Sequence, residues 1–304
     1  MRMEFGCMLP HRWVYASQEI IAKAAEVAED LGYASLWVTD HVIVPEDKPQ
    51  RGHIFFDALI TLAYVAALTE RVKLGTSVLM PDVRNPIVVG KQVATLDALS
   101  KGRVLLGVGT GWVEEELEAL GVKYEERGKR LNESVRLMRL LWTSEGPISF
   151  KGHFSSFENM RFYPKPAQGG GVPIWIGGNK PSSIRRAALS GDGWIPWAIS
   201  PDEVSEGVQM IRKIAKNPRK IAIAHATPVS LGLYPKEYLG FFEEKHTILT
   251  GDSSAVTKAL EAYREAGVEH FICSFRDVRV FKDPNSDLIF KQMEQFAREV
   301  APSF

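Results

Sequence analysis

VKLGTSVLMPDVRNPIVVGKQVATLDALSKGRVLLGVGTGW, residues 72–112, is the stretch that decides the fold. Val104–Val108 is a continuous apolar run of the length of a buried strand, and Val72–Leu79 is a second strand candidate with Gly75 inside it. Between them, Ile87–Ser100 is predicted to be a helix that stops at the turn Lys101-Gly102. The stretch is therefore predicted to form one strand–helix–strand unit of a parallel sheet.

The same alternation continues on both sides of this unit. Further strands are predicted at Glu4–Met8, Ser35–Val38, Pro173–Ile176, Gly193–Pro196, Ile221–Leu231 and His270–Phe275, nearly every one followed by a helical pattern. An open doubly wound sheet fits this alternation too. Eight units favour an α/β fold of the TIM (β/α)8 barrel type, because closure removes both edge strands. We expect one domain over residues 1–304.

Two longer segments interrupt the alternation. The first, at about 144–172, contains a predicted hairpin and a proline-rich exit, and the second, at about 234–251, carries aromatic and charged residues. Barrels keep their active sites in loops at the C-terminal ends of the strands. We expect both insertions at this rim, where they and the loop at 42–55 would select a substrate.

Composition excludes several classes of function. Lys+Arg and Asp+Glu both number 37, so no basic field is available for a nucleic acid or an anionic membrane surface. Only Cys7 and Cys273 are present, and the seven histidines show none of the spacings that bind metals. Without a signal peptide or an apolar run of membrane length, a cytoplasmic protein that binds a small molecule and no metal is expected.

Thr39-Asp40-His41 follows the second predicted strand and is the first candidate site. A carboxylate beside an imidazole can orient the imidazole for proton transfer near neutral pH. The alternative interpretation is a capping aspartate next to a surface histidine. From the residues alone, both interpretations remain open.

Glycines mark two further candidate sites at strand ends. Gly107, Gly109 and Gly111 alternate after the fourth strand, which leaves room for a flat ligand or merely forms a tight turn. Ile176-Gly177-Gly178-Asn179-Lys180-Pro181-Ser182 precedes a predicted helix, whose free N–H groups and positive dipole end favour an anion such as phosphate. A plain helix cap is the alternative for this second site.

Taken together, these segments resemble the luciferase-like monooxygenase superfamily, the flavin and deazaflavin barrels related to bacterial luciferase. Two blocks carry the resemblance: QVATLDALSKGRVLLGVGTGW at 92–112 and VPIWIGGNKPSSIRRAALSGDGWIP at 172–196. The details are most similar to the branch that uses coenzyme F420, a deazaflavin. The resemblance implies a cytoplasmic homodimer that transfers a hydride between F420 and an alcohol, an enone or an imine.

The resemblance also implies a set of site residues. Asp40 and His41 would be the catalytic pair, with His41 beside the reactive ring, and Ser77–Val78 would form a non-prolyl cis peptide that backs the ring. The remaining residues implied to bind the cofactor are Thr110, Gly111, Gly177, Gly178, Asn179 and Ser182. Thr110 stands where FMN-using relatives carry an arginine, which favours F420 over FMN.

One position departs from the pattern of the family. Trp112 stands where the sugar-phosphate dehydrogenases of this branch carry a glutamate thought to serve as an acid, which argues against a sugar phosphate as substrate. Two other functions remain open: an FMN-dependent monooxygenase and a non-catalytic barrel that binds flavin.

Overall fold

A computed structural model describes residues 2–46, 54–232, 247–275 and 286–304 of the chain. Its strands are β1 (Glu4–Met8), β2 (Ser35–Val38), β3 (Lys73–Thr76), β4 (Val104–Val108), β5 (Ile148–Lys151), β6 (Ser156–Met160), β7 (Ile174–Gly177), β8 (Gly193–Ile195), β9 (Ala222–Leu231), β10 (Leu249–Gly251) and β11 (His270–Phe275). Its helices are α1 (Gln18–Asp30), α2 (Ala58–Leu68), α3 (Pro86–Leu99), α4 (Glu114–Ala119), α5 (Arg127–Thr143), α6 (Pro181–Ser190), α7 (Pro201–Ile214), α8 (Ser253–Glu265) and α9 (Ser286–Gln295).

Eight parallel strands close into a barrel in the order β1, β2, β3, β4, β7, β8, β9 and β11, and β11 pairs again with β1. The predicted TIM barrel is therefore confirmed. Chemistry at the helix ends agrees with the sequence pattern, since Asn85 caps α3 ahead of Pro86, and Ser200 and Glu203 form a capping box at α7. Both caps belong to helices that cover the barrel wall.

The interior of the barrel is filled by side chains rather than left hollow. Met8, Trp37, Leu105, Trp175, Ile195, Ala224, Ala226 and Ile272 form this interior cluster. A Cβ atom at Gly75 would lie 2.3 Å from the Trp37 ring, and one at Gly193 would lie 2.6 Å from the Trp175 ring. Glycine at these two positions is what allows two indoles to fit inside one barrel.

The two cysteines pack in the outer core between the strands and the helices. Cys7 on β1 and Cys273 on β11 are register partners, and both are free and fully buried. Burial raises the pKa of the Cys7 thiol to about 12. Both cysteines therefore serve as small packing residues of the core.

The hairpin predicted within 144–172 is confirmed as the antiparallel pair β5 and β6, but only its turn comes close to the rim. The segment joins the end of α5 to the start of β7, so it begins and ends at the N-terminal side of the barrel. Gln168 contacts the carbonyl of Val104, the first residue of β4. The hairpin turn packs along α5, where Glu133 accepts hydrogen bonds from the N–H groups of residues 153–155, and Phe154 lines a pocket with Asp82 of the loop after β3. Residues 234–246 of the second insertion lie outside the described residues.

Candidate active site

The candidate site lies where β2, β3, β4 and β7 reach their C-terminal ends. Every site residue predicted from the sequence lies at the end of one of these four strands, in the loop that follows it, or in the first turn of α6. Parallel pairing brings the ends of β2, β3, β4 and β7 side by side around half of the barrel mouth. The barrel therefore assembles these residues on one side of a single opening.

His41 is held by a carboxylate from a distant part of the chain. Its Nδ1 lies 2.7 Å from Oε2 of Glu116, which is buried in α4. The other carboxylate oxygen of Glu116 accepts hydrogen bonds from the N–H groups of Val42, at 2.7 Å, and Ile43, at 3.4 Å. The carboxylate accepts a hydrogen bond from the Nδ1–H group. Nε2 is therefore the ring nitrogen that can take or give a proton.

Asp40 does not orient His41, so this expectation is wrong. Its carboxylate accepts two hydrogen bonds from the guanidinium of Arg84, at 2.7 and 2.8 Å, and a third from the N–H of Met80. Consecutive residues of an extended segment point to opposite sides, so Asp40 turns into the wall while His41 faces the mouth. Asp40 thus joins the loop after β2 to the loop after β3.

The sequence signal for Glu116 is an acidic stretch that follows β4. Trp112-Val113-Glu114-Glu115-Glu116 is an acidic stretch directly after the β4 glycines. In the short helix α4 that it forms, Glu114 and Glu115 are exposed and Glu116 alone of the three is buried. Burial acts to raise the pKa of Glu116, but the hydrogen bonds from His41, Val42 and Ile43 lower it below its usual value.

Replacing Glu116 with glutamine is expected to destabilise the protein in a pH-dependent way. The pKa of Glu116 is lower in the folded than in the unfolded chain, so the ionised carboxylate stabilises the fold at neutral pH. This contribution is lost as the pH falls through the folded pKa, which lies below the usual pKa of a glutamate. We expect Glu116→Gln to lose about 1–3 kcal/mol at pH 7 and less at pH 4, measured by urea unfolding.

Glu118→Gln is the matched control for this measurement, because Glu118 lies exposed on the same helix. We expect its free energy of unfolding to stay within about 0.5 kcal/mol of wild type. A deficit of Glu116→Gln that is equally large at both pH values would contradict the ionised hydrogen-bonded role.

Val78 forms an apolar floor in the mouth of the barrel. The peptide Ser77–Val78 is cis, as the family resemblance implied. The Val78 side chain is half-buried and packs on the interior cluster from the C-terminal side. The N–H of Ser77 donates to the carbonyl of Val38, which ties this floor to β2.

The glycines of β4 make room for β3 rather than for a ligand. A Cβ atom at Gly107 would lie 1.9 Å from the Thr76 carbonyl, and one at Gly109 would lie 2.5 Å from Val78. Gly111, at φ +69°, approaches the Met80 sulfur in the same way. The interpretation of these glycines as space for a flat ligand is therefore corrected, since neighbouring protein atoms occupy that space. Thr110 between them is partly exposed, and its hydroxyl lies 3.3 Å from the Gly111 carbonyl.

The diglycine turn after β7 is held from three sides. A Cβ atom at Gly177 would lie 2.6 Å from Val78, so the turn and the apolar floor are in direct contact. Gly178 has φ +117°, which favours glycine, and its carbonyl accepts a hydrogen bond from the indole N–H of Trp194. The Asn179 amide bonds both the N–H and the carbonyl of Trp197 in the next loop. Asn179 therefore positions the turn with its side chain.

Helix α6 begins directly after this turn with Pro181 and Ser182. The side chain of its N-cap residue, Lys180, makes no capping hydrogen bond among the described residues, and Ser182 is exposed. An uncapped helix N-terminus is suited to an anion. The Arg186 guanidinium, further along α6, donates to Asn132 and Gly128 of α5.

Aromatic and aliphatic side chains surround His41. The Phe55 ring lies 4.8 Å from the imidazole and the Trp112 ring 6.5 Å from it, both edge-on. Trp37, Trp175 and Trp194 are core residues, whereas Trp13 and Trp197 are half-buried. The exposed apolar residues of the loop around His41 are Val42, Ile43, Ile54 and Phe56.

Comparison with known proteins identifies the family. A model of the luciferase-like monooxygenase family matches residues 3–239. The chain belongs to this family. The resemblance seen in the sequence is confirmed, and the luciferase-like fold agrees with the closed barrel.

Relatives of this luciferase-like protein include two named F420-dependent glucose-6-phosphate dehydrogenases. The one from Amycolatopsis mediterranei is 30% identical, over 90% of this chain and 91% of its own length. The one from Kineococcus radiotolerans is 41% identical, over 58% of this chain and 51% of its own length. Both relatives are dehydrogenases by name.

Solved structures of similar shape support the luciferase-like fold. An F420-dependent secondary alcohol dehydrogenase, in complex with an F420-acetone adduct, superposes with a TM-score of 0.81 at 23% identity, over 99% of this chain and 98% of its own. The coenzyme F420 dependent tetrahydromethanopterin reductase from Methanopyrus kandleri gives 0.77 at 20% identity, over the full length of both chains. At these identities the likeness concerns the fold.

The described residues contain neither a membrane-spanning helix nor a group of side chains that could hold a metal ion. No helix within residues 2–46, 54–232, 247–275 and 286–304 has the length and apolar character needed to cross a bilayer. In the same part of the chain, no three His, Cys, Asp or Glu side chains are grouped to hold a metal ion.

Proposed function

We propose that this luciferase-like protein is an F420-dependent oxidoreductase that transfers a hydride between the deazaflavin and a small organic substrate. The observation that carries the proposal is the contact between Val78 and Gly177, which joins an apolar floor to an uncapped helix N-terminus. A deazaflavin with a phosphorylated side chain needs a floor for its ring and an anion site beside it. The names of the dehydrogenase relatives support the same cofactor.

The residues at the mouth fit such a group. Val78 offers a half-buried apolar surface on the barrel interior, and the start of α6 offers the Ser182 N–H and the positive end of the helix dipole to a phosphate. Ser77, Thr110 and Gly111 border the floor, while Gly178, Asn179 and Ser182 form or flank the turn. When bound, F420 supplies the hydride chemistry, and the protein supplies orientation and a place for the proton.

His41 is the proton-transfer residue of this proposal. Glu116 holds Nδ1, so Nε2 exchanges the proton with an alcohol, enone or imine. Phe55 and Trp112 surround the imidazole, and Trp112 cannot act as an acid. Substrate would enter past the exposed apolar residues of the loop around His41.

Titration of the purified protein with F420 and with FMN, followed by fluorescence, tests the cofactor. We expect a Kd for F420 in the micromolar range or below, and binding of FMN weaker by about tenfold or more. FMN bound at micromolar concentration with no F420 binding would favour the monooxygenase alternative and defeat the proposal. Binding of F420 without turnover of any alcohol, enone or imine in a panel would favour the non-catalytic barrel.

A further inference from the structure

Arg12 is a cation at the barrel mouth that the proposed function does not yet use. It lies in the loop after β1, and its backbone pairs with that of Phe55, the residue whose ring touches His41. Its guanidinium donates to the Thr39 hydroxyl at 3.3 Å and lies 4.5 Å from the centre of the Trp13 ring. Both contacts use neutral partners.

The alternation of β2 places this guanidinium over the opening. Trp37 packs in the interior cluster and Val38 in the outer core. Thr39 therefore takes the next inward position, at the mouth, two residues before His41. Because the Arg12 guanidinium contacts Thr39, it lies on the side of the wall where a substrate would approach His41.

Arg12 has no counterion among the residues that the structure describes. Burial lowers the pKa of its guanidinium to about 10, and no acidic group in the described part of the chain opposes this effect. It remains charged at neutral pH. Arg84, Arg130 and Arg139 all pair with carboxylates, so Arg12 differs from them. A desolvated cation without an anion is costly unless a ligand supplies the anion.

We propose that Arg12 binds a carboxylate of the substrate, so that the substrate is a carboxylate-bearing alcohol, enone or imine. This inference rests on the proposed function and names the class of substrate. Trp13 covers a face of the guanidinium, and the planar fork matches the two oxygens of a carboxylate. Asp40 already balances the charge of Arg84 in the loop after β3, so of these two arginines Arg12 is the one left to balance a single negative charge.

Binding of benzoate and of benzamide, measured by saturation-transfer NMR with and without F420, tests this site. The two probes share a ring and differ in charge. We expect wild type to bind benzoate more tightly than benzamide by about tenfold or more. Arg12→Gln should remove this preference, Arg12→Lys should keep part of it, and Arg161→Gln, at an exposed site after β6, should keep all of it.

The Kd for F420 in the same variants separates the possible sources of the anion. We expect Arg12→Gln to change it by less than about twofold. A tenfold weaker F420 complex would mean that the cofactor supplies the anion, and would overturn the assignment to substrate. Equal binding of benzoate and benzamide by wild type, while F420 binds, would overturn the carboxylate site and leave the proposed function standing. A benzoate preference without any F420 binding would support the carboxylate site and defeat the proposed function.

Discussion

Replacing His41 with asparagine is expected to lower turnover by about 10²–10⁴-fold and to leave F420 affinity unchanged within about twofold. The expected loss is that of a general acid–base group, because asparagine of similar size cannot take a proton from a substrate. Glu116 would still accept a hydrogen bond from the new amide, so the loop after β2 keeps its position. The measurement is the steady-state kcat on the best substrate of the panel, beside a fluorescence titration with F420.

Glu118→Gln again provides the control, since it alters charge near the site without touching His41. Turnover of His41→Asn within threefold of wild type would remove His41 from the proton transfer. Loss of F420 binding in His41→Asn would instead assign the residue to the cofactor site.

Replacing Asp40 with asparagine is expected to destabilise the protein by about 3 kcal/mol. The substitution leaves the Arg84 guanidinium without its buried partner while the Asp40 side chain stays enclosed. The value lies at the low end for a broken buried pair because Asp57, 3.7 Å from Arg84, remains as a weaker partner. Urea unfolding followed by circular dichroism measures the change.

The double variant Asp40→Asn/Arg84→Gln provides the matched comparison. If the loss comes from the unpaired cation, removing that cation should recover part of it, which a double-mutant cycle detects. A single variant that unfolds within about 0.5 kcal/mol of wild type would contradict the structural role of the pair.

The barrel could be predicted from the sequence because it depends on repeated local signals. Each strand and helix, such as Val104–Val108 and α3, has its own apolar run or cap, and eight such units leave few arrangements. The interior fit of Trp37 against Gly75 could not be predicted, because it requires two strands to be brought together first.

The partners within the site were harder to predict for the same reason. Asp40 and His41 are adjacent in sequence, but their side chains diverge, and each finds its partner 44 or 75 residues away. Likewise, the sequence alone allows the alternating glycines of β4 to be interpreted as ligand space, because it does not show that Val78 packs against Gly109. Local patterns identified the residue types at the mouth, whereas their pairing depends on barrel closure.

A crystal structure of the protein with F420 tests the central claim most directly. The account predicts the deazaflavin ring against Val78 and its phosphate at the main-chain N–H groups around residues 177–182, with His41 Nε2 facing the open side of the ring. F420 bound elsewhere, or a phosphate that lies away from the start of α6, would contradict it.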